Sequence, residues 1–162
     1  MTTAGLDLDF RVDDLTGADV QDLILAHLTQ MRSQTPPESV HALDLSGLRA
    51  ADVTFWSVWD GCDLVACGAL KKIYAGHGEN KSMHTRAHRR GRGIGQATLN
   101  HILAEARTRG YRKLSLETGR SEPFAPATAM YTRAGFVPCG PIGDCTDDPF
   151  SAYFTLDLLP AG

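Results

Sequence analysis

KSMHTRAHRRGRGIGQ, residues Lys81 to Gln96, sets a glycine-studded, arginine-rich turn between an extended segment and a helix start. Gly91, Gly93 and Gly95 carry no Cβ, so the backbone is free to take positive φ, approach a ligand closely and turn its N–H groups toward one point. From Ile94 to Arg109 the apolar residues Leu99, Ile102, Leu103 and Ala106 repeat at the spacing of an amphipathic helix. The turn is therefore expected at a helix N-terminus, where unsatisfied N–H groups and the positive dipole end favour an anion, and Arg89, Arg90 and Arg92 add full charges. A pyrophosphate is the kind of group such a turn holds.

Other phosphate loops fail on spacing. Counting a G-x-G-x-x-G fingerprint from Gly91 puts its third glycine on Gln96, and no glycine here begins the Gly-Lys-Ser/Thr ending of a P-loop. A nucleic-acid patch is disfavoured too. His84 to Arg92 contains four arginines and two histidines but no aromatic residue for base stacking, and the whole chain carries a net charge of −3.

Working outward, Leu6 to Val12 alternates apolar and charged residues, as a half-buried strand does. A helix follows, capped by Thr16 or Asp19, with Val20, Leu23, Ile24, His27, Leu28 and Met31 on one face and Pro36-Pro37 as its stop. His27 on that face reads as a core histidine. Glu38 to Ala51 has room for a short second helix. Asp52 to Trp59 and Asp63 to Tyr74 read as strands joined by an Asp60-Gly61 hairpin turn. Ala75 to Gly78 then turns the chain into a strand from Glu79 to Thr85, which feeds the glycine turn. Beyond the amphipathic helix, Gly110 ends it, Lys113 to Thr118 is a strand, Pro126 opens a helix that stops at Gly135, and Ser151 to Leu158 alternates as a last strand.

At 162 residues, 43% hydrophobic and 22% charged, the chain is expected to form one domain with a substantial core. It has no apolar run near the ~18 residues of a membrane span, and MTTAGLDLDF is not a secretory signal, so a cytoplasmic location without membrane partners is the expectation. Cys62, Cys67, Cys139 and Cys145 form no C-x-x-C pair and are expected to be reduced, mostly buried thiols; no metal site is expected.

The derived order, β–α–(α)–β–β–β–α–β–α–β with Arg90-Gly-Arg-Gly-Ile-Gly95 opening the helix after the fourth strand, resembles the GNAT superfamily of N-acetyltransferases. The superfamily's (Q/R)-x-x-G-x-(G/A) is matched by Arg90, Gly93 and Gly95, and its A-x-x-(L/M)-Y-x-x-x-G-F by Ala127 to Phe136 with Tyr131 at the tyrosine. The resemblance covers most of the chain. It implies an α/β (α+β) fold with a mixed, mostly antiparallel central sheet, splayed middle strands and flanking helices.

It also implies acetyl-CoA as the donor, with the pyrophosphate on the amides of Arg90, Gly91, Arg92, Gly93, Ile94, Gly95 and Gln96, and with Arg89 or another loop arginine reaching a coenzyme phosphate. Met83, His84 and Thr85 would sit on the splayed strand, offering backbone groups to the pantetheine arm and one N–H to the thioester carbonyl. Tyr131 stands where the family places its general acid; the competing reading is a helix tyrosine packed beside Phe136. Glu79, eleven residues before Arg90, stands at a spacing where some members carry a base, and a solvated carboxylate on the rim is the competing reading. An asparagine common in the family is replaced by Phe124.

The implied activity is acetyl transfer to a primary amine, of a small molecule or amino acid. The alternatives are a non-catalytic coenzyme-binding module and an acetyltransferase acting on a protein N-terminus or lysine. The acceptor site is expected between Met31 and Leu45, Gly119 and Pro126, and Pro141 and Pro149, with Glu38, His41, Asp44, Glu122, Asp144, Asp147 and Asp148 around a cationic amine and Arg120 or Arg133 available to a carboxylate. A homodimer is left open.

Overall fold

The computed structural model describes residues 7–35, 44–142 and 149–158. Among these, β1 (Leu8–Val12), β2 (Val53–Asp60), β3 (Asp63–Tyr74), β4 (His77–Thr85), β5 (Lys113–Gly119), β6 (Val137–Cys139) and β7 (Ser151–Asp157) form one sheet in the order β1-β2-β3-β4-β5-β7-β6. Only β4 and β5 run parallel. Four α-helices accompany them among the described residues: α1 (Ala18–Gln34), α2 (Leu45–Leu48), α3 (Ile94–Thr108) and α4 (Ala125–Arg133).

Each face of the sheet is covered. Leu15 just before α1, Val20, Leu23, Ile24 and Leu28 of α1 and Leu48 of α2 are buried against Phe55, Leu64, Cys67 and Ala69. On the opposite face, Leu99, Ile102, Leu103 and Ala106 of α3 and Tyr131 of α4 meet Trp56, Leu70, Leu114, Leu116 and Phe154. Packing, rather than capping, starts α1. Its N-cap is Gly17 with no side-chain cap, not Thr16 or Asp19, because the Thr16 hydroxyl donates instead to Asp14 Oδ1 at 2.7 Å. Glycine in that position gives up only a few tenths of a kcal/mol against a capping side chain. Burying each of Val20, Leu23, Ile24 and Leu28 is worth about 1.5–3 kcal/mol. The helix ends at Gln34; Pro36 and Pro37 lie outside the described residues.

The strand boundaries differ from the sequence reading in three places, each for a local reason. Asp60 pairs with Asp63, so the hairpin loop is Gly61-Cys62, with Gly61 at φ +62°. β4 begins at His77 after Gly76 at φ +75°, so Glu79 is its third residue and is paired on both sides, with Lys71 and Ser115. A short strand absent from the sequence reading, β6, pairs only with β7 and carries Pro138, which an edge strand tolerates because its missing N–H has no ladder partner to lose. Among the cysteines, Cys67 is buried, Cys62 exposed and Cys139 partly buried, all three free, so burial is less general than expected; Cys145 lies outside the described residues. Among the described residues no helix is long and apolar enough to cross a membrane, and no group of His, Cys, Asp or Glu gathers as a metal site would.

Candidate active site

The site begins where the sheet opens. β4 and β5 pair over His77↔Lys113, Gly78↔Leu114, Glu79↔Ser115 and Asn80↔Leu116, and there the ladder ends although both strands continue. β5 stays with β7 through Glu117↔Tyr153, Thr118↔Ala152 and Gly119↔Ser151, while β4 stays with β3 through Cys67↔His84 and Ala66↔Thr85. The cleft left between them exposes strand edges of the kind that extended ligands complete. A bulge deepens it. The β3–β4 register shifts between Cys67↔His84 and Ala69↔Lys81, so Ser82 and Met83 together oppose Gly68, and Ser82 takes φ +56°. A non-glycine residue there stores about 1–3 kcal/mol of strain. The buried Cys67 thiol, 3.2 Å from the Ser82 carbonyl, helps hold it, and burial pushes that thiol up to about 12, which leaves it an inert structural group.

Beyond Thr85 a short 3₁₀ turn, Ala87–Arg89, leads to the glycine turn. Gly91 and Gly93 adopt φ +77° and +84°, and Gly93 caps α3 with no side-chain hydrogen bond, so the first N–H groups of the helix are left open to a ligand. Gly95 differs from the sequence reading. It lies inside the first turn of α3, and a Cβ there would make only ordinary contacts, 3.6 Å to Met130 Sδ and 3.8 Å to Thr85 Oγ1. Arg89 borders the groove, and its guanidinium donates to Asp60 at 2.7 Å and Asp63 at 2.8 Å, tying the turn to the β2–β3 hairpin. Those carboxylates hold Arg89 above the usual arginine range. Arg90 donates to Thr85 O and Gln30 Oε1, Arg92 is exposed, and the Gln96 amide lies along α3 against Asn100.

From this turn a groove of about 460 Å³ runs along the cleft, bordered by Gly93, Ile94, Gly95, Gln96, Thr85 and His84. It shares His27, Met31, Met83, Phe124, Ala127 and Tyr131 with an inner chamber of about 150 Å³ that Glu79, Asn80, Ser82, Glu117 and Thr118 complete. Tyr131 thus stands between the two. It is 7% exposed, its ring lies edge-on to Phe136 at 5.8 Å, and its hydroxyl has no hydrogen-bond partner among the described residues. Burial pushes the phenol up to about 12, so it keeps its proton at neutral pH. The packing beside Phe136 is as the sequence reading had it, and the residue also borders the cleft.

Glu79 is no rim carboxylate. It is 6% exposed, and its Oε2 accepts a hydrogen bond from Lys81 Nζ at 3.1 Å, two residues along the same face of β4. His84, on the splayed strand, meets His27 of α1 with Nδ1 to Nδ1 at 3.2 Å, so the nitrogen that satisfies the core histidine belongs to another histidine. Phe124 fills the space that Gly119 leaves, since a Cβ on Gly119 would fall 2.2 Å from its ring.

Of the expected acidic surround only Asp44 and Glu122 are among the described residues. Asp44 caps α2 through Gly47 N, Arg120 donates to the Ser151 carbonyl, and Glu38, His41, Asp144, Asp147 and Asp148 lie outside the described residues. Neither Asp44 nor Glu122 borders the chamber; the carboxylates that do, Glu79 and Glu117, come from the two strands of the cleft. Glu117 was visible only as the outward partner of Leu114 and Leu116 in an alternating strand, and Lys81, Asn80 and Ser82 carried no signal beyond their place in an extended segment.

The comparisons agree with this geometry. The family model described as Acetyltransferase (GNAT) family matches residues 19–136. A Bacillus subtilis protein named uncharacterized N-acetyltransferase YsnE is 46% identical over 93% of this chain and 100% of its own length. Uncharacterized N-acetyltransferase YedL of Escherichia coli is 45% identical over 91% of this chain and 93% of its own. Among solved structures, an acetyltransferase from Bacillus subtilis in complex with CoA shares the fold, with a TM-score of 0.71 at 17% identity over 94% of this chain and 100% of that one. The open mixed sheet, the glycine turn at the start of α3 and these matches make the chain a member of the Acetyltransferase (GNAT) family, an acetyl-CoA-dependent acyltransferase.

Proposed function

We propose that the chain transfers the acetyl group of acetyl-CoA to a primary amine of a small molecule or amino acid, with the coenzyme laid along the groove and the reaction in the inner chamber. The observation that carries this reading is the end of the β4–β5 ladder at Asn80↔Leu116, next to a chamber bordered by both Tyr131 and Glu79. Open N–H groups at Ile94, Gly95 and Gln96, with Arg90 and Arg92 nearby, suit the pyrophosphate; Arg89, engaged by Asp60 and Asp63, fixes the turn instead. The unpaired edge of β4 from Met83 to Thr85 suits the amides of the pantetheine arm.

Acetyl-CoA supplies an acyl group activated as a thioester. Glu79 takes a proton from the acceptor ammonium, directly or through water, which frees the lone pair for attack on the acyl carbon. Backbone N–H groups at the Ser82–Met83 bulge offset the negative charge that then develops on the oxygen. As the carbon–sulfur bond breaks, the Tyr131 hydroxyl, still protonated at neutral pH because of its burial, gives its proton to the sulfur. The second proton of the bonded nitrogen returns to the Tyr131 phenolate and the first leaves Glu79 for solvent, so the products are the N-acetyl amine and the free coenzyme thiol.

Calorimetry with CoA tests the site. Gly93→Asp brings a carboxylate to the phosphate end of the groove, and two like charges about 4 Å apart at an effective dielectric of about 20 repel by about 4 kcal/mol, close to a thousandfold in affinity. Gly93→Ala isolates the cost of positive φ. Undiminished CoA affinity in a folded Gly93→Asp variant overturns the assignment.

A further inference from the structure

Asn80 and Ser82 hold an unusual pair of atoms. Asn80 is 4% exposed, its Nδ2 donates to Met83 Sδ at 3.1 Å, and its Oδ1 is buried without a partner; the Ser82 Oγ is likewise buried and unpartnered. Buried polar atoms are nearly always hydrogen-bonded, so each such exception asks what partner it awaits. A third orphan, His101 Nε2, borders neither cavity and belongs to a ring stacked on Phe10. The other two belong to residues that border the chamber.

Their place narrows the partner. Asn80 and Ser82 border the inner chamber and not the groove that leads to the glycine turn. An acyl thioester brings a carbonyl oxygen and a sulfur, neither of which donates a hydrogen bond. The donor that matches an amide oxygen in this chamber is the nitrogen of the acceptor. Glu79 and Asn80 are successive residues of β4, so their side chains approach the chamber from opposite faces of the strand. Resting on the amine-acetylating function proposed above, we infer that Asn80 Oδ1, supported by Ser82 Oγ, receives an N–H of the acceptor while Glu79 receives the proton that leaves. Asn80 is thereby a positioning residue for the acceptor nitrogen.

The test compares the parent protein with Asn80→Leu and Asn80→Asp, using CoA calorimetry, thermal melting and steady-state kinetics on n-alkylamines from methylamine to hexylamine. Asn80→Leu should raise the amine KM by about tenfold or more, leave CoA affinity within about twofold, and melt at or above the parent temperature because it removes an orphaned buried oxygen. Asn80→Asp, which keeps an acceptor oxygen in the same place, should return KM to near the parent value. A parental KM in Asn80→Leu overturns the inference. So does an equal loss of CoA affinity, which would assign the oxygen to a pantetheine amide, and so does a lower melting temperature with no recovery in Asn80→Asp, which would make the residue structural. A parent protein that binds CoA but acetylates none of the amines overturns the acceptor reading itself, an outcome separate from any result on the variants.

Discussion

Acidification should destabilise this protein through the contact between His27 and His84. His27 is 8% exposed on α1, and its Nδ1 lies 3.2 Å from Nδ1 of His84 on β4. One nitrogen must donate and the other accept, so at least one ring must stay neutral; protons on both set two donors face to face, and the first proton already has to enter a buried site. Burial lowers His27 to about 4, and burial first, then the neighbouring His27, Arg90 and Arg86, lowers His84 to about 3. Both folded-state values lie below the unfolded value of about 6.5. Between those limits the unfolded chain binds more protons, so stability is complete above pH ~6.5 and is lost as pH falls toward 4. At 1.36 kcal/mol per proton and pH unit, the 1.5 units from pH 6.5 to 5 remove about 2 kcal/mol for one histidine, and about 4 kcal/mol for both is an upper bound because water screens the partly exposed His84. Urea unfolding followed by the fluorescence of Trp56 and Trp59 at pH 7, 6 and 5 reads this slope. A His27→Asn/His84→Asn variant keeps a donor and an acceptor without the proton uptake, and its slope should be shallower by about that amount. Identical slopes in the two proteins would refute the reasoning.

Two further predictions concern the chemistry. Tyr131→Phe removes the hydroxyl and keeps the ring against Phe136, so melting temperature and CoA affinity should hold while kcat falls, the pattern of an interaction made only in the transition state; an unchanged kcat with a verified acceptor would assign the proton to another donor. Glu79→Gln should lower kcat about 10²-fold at neutral pH, with recovery as pH rises and the amine loses its proton unaided. Because that change also leaves the partly buried Lys81 ammonium without its carboxylate, at a cost below the ~3–5 kcal/mol of a fully buried pair, a Glu79→Gln/Lys81→Met variant should recover stability but not rate, and recovery of both would reduce Glu79 to a structural partner.

The glycine turn was legible because its requirement is local: Gly91 and Gly93 sit at positive φ, and a glycine before an amphipathic run announces that in the sequence itself. The helix faces and the alternating strands were legible for the same reason. What escaped depends on contacts between distant residues. His27 meets His84 across 57 positions, Arg89 reaches back to Asp60 and Asp63, and Phe124 occupies a space that exists only because Gly119 has no side chain. The short strand β6 escaped because three residues around Pro138 carry no periodicity to read, and it exists only because β7 passes beside it. Glu79 shows the limit most clearly. Its spacing from Arg90 marked it, but only the structure sets it inside the sheet and beside Lys81.

The four paired positions of β4 and β5 make the sheet a pair of leaves sharing one short spine, with β1 to β4 on one side and β5, β7 and β6 on the other. A molecule lying across the open end and bonding to both edges acts as a clasp. By mass action, whatever binds the folded form alone raises the share of chains that are folded. Without such a molecule the two leaves are held by the paired end alone. A cosubstrate bound as proposed above would therefore stabilise the fold as well as supply the acetyl group.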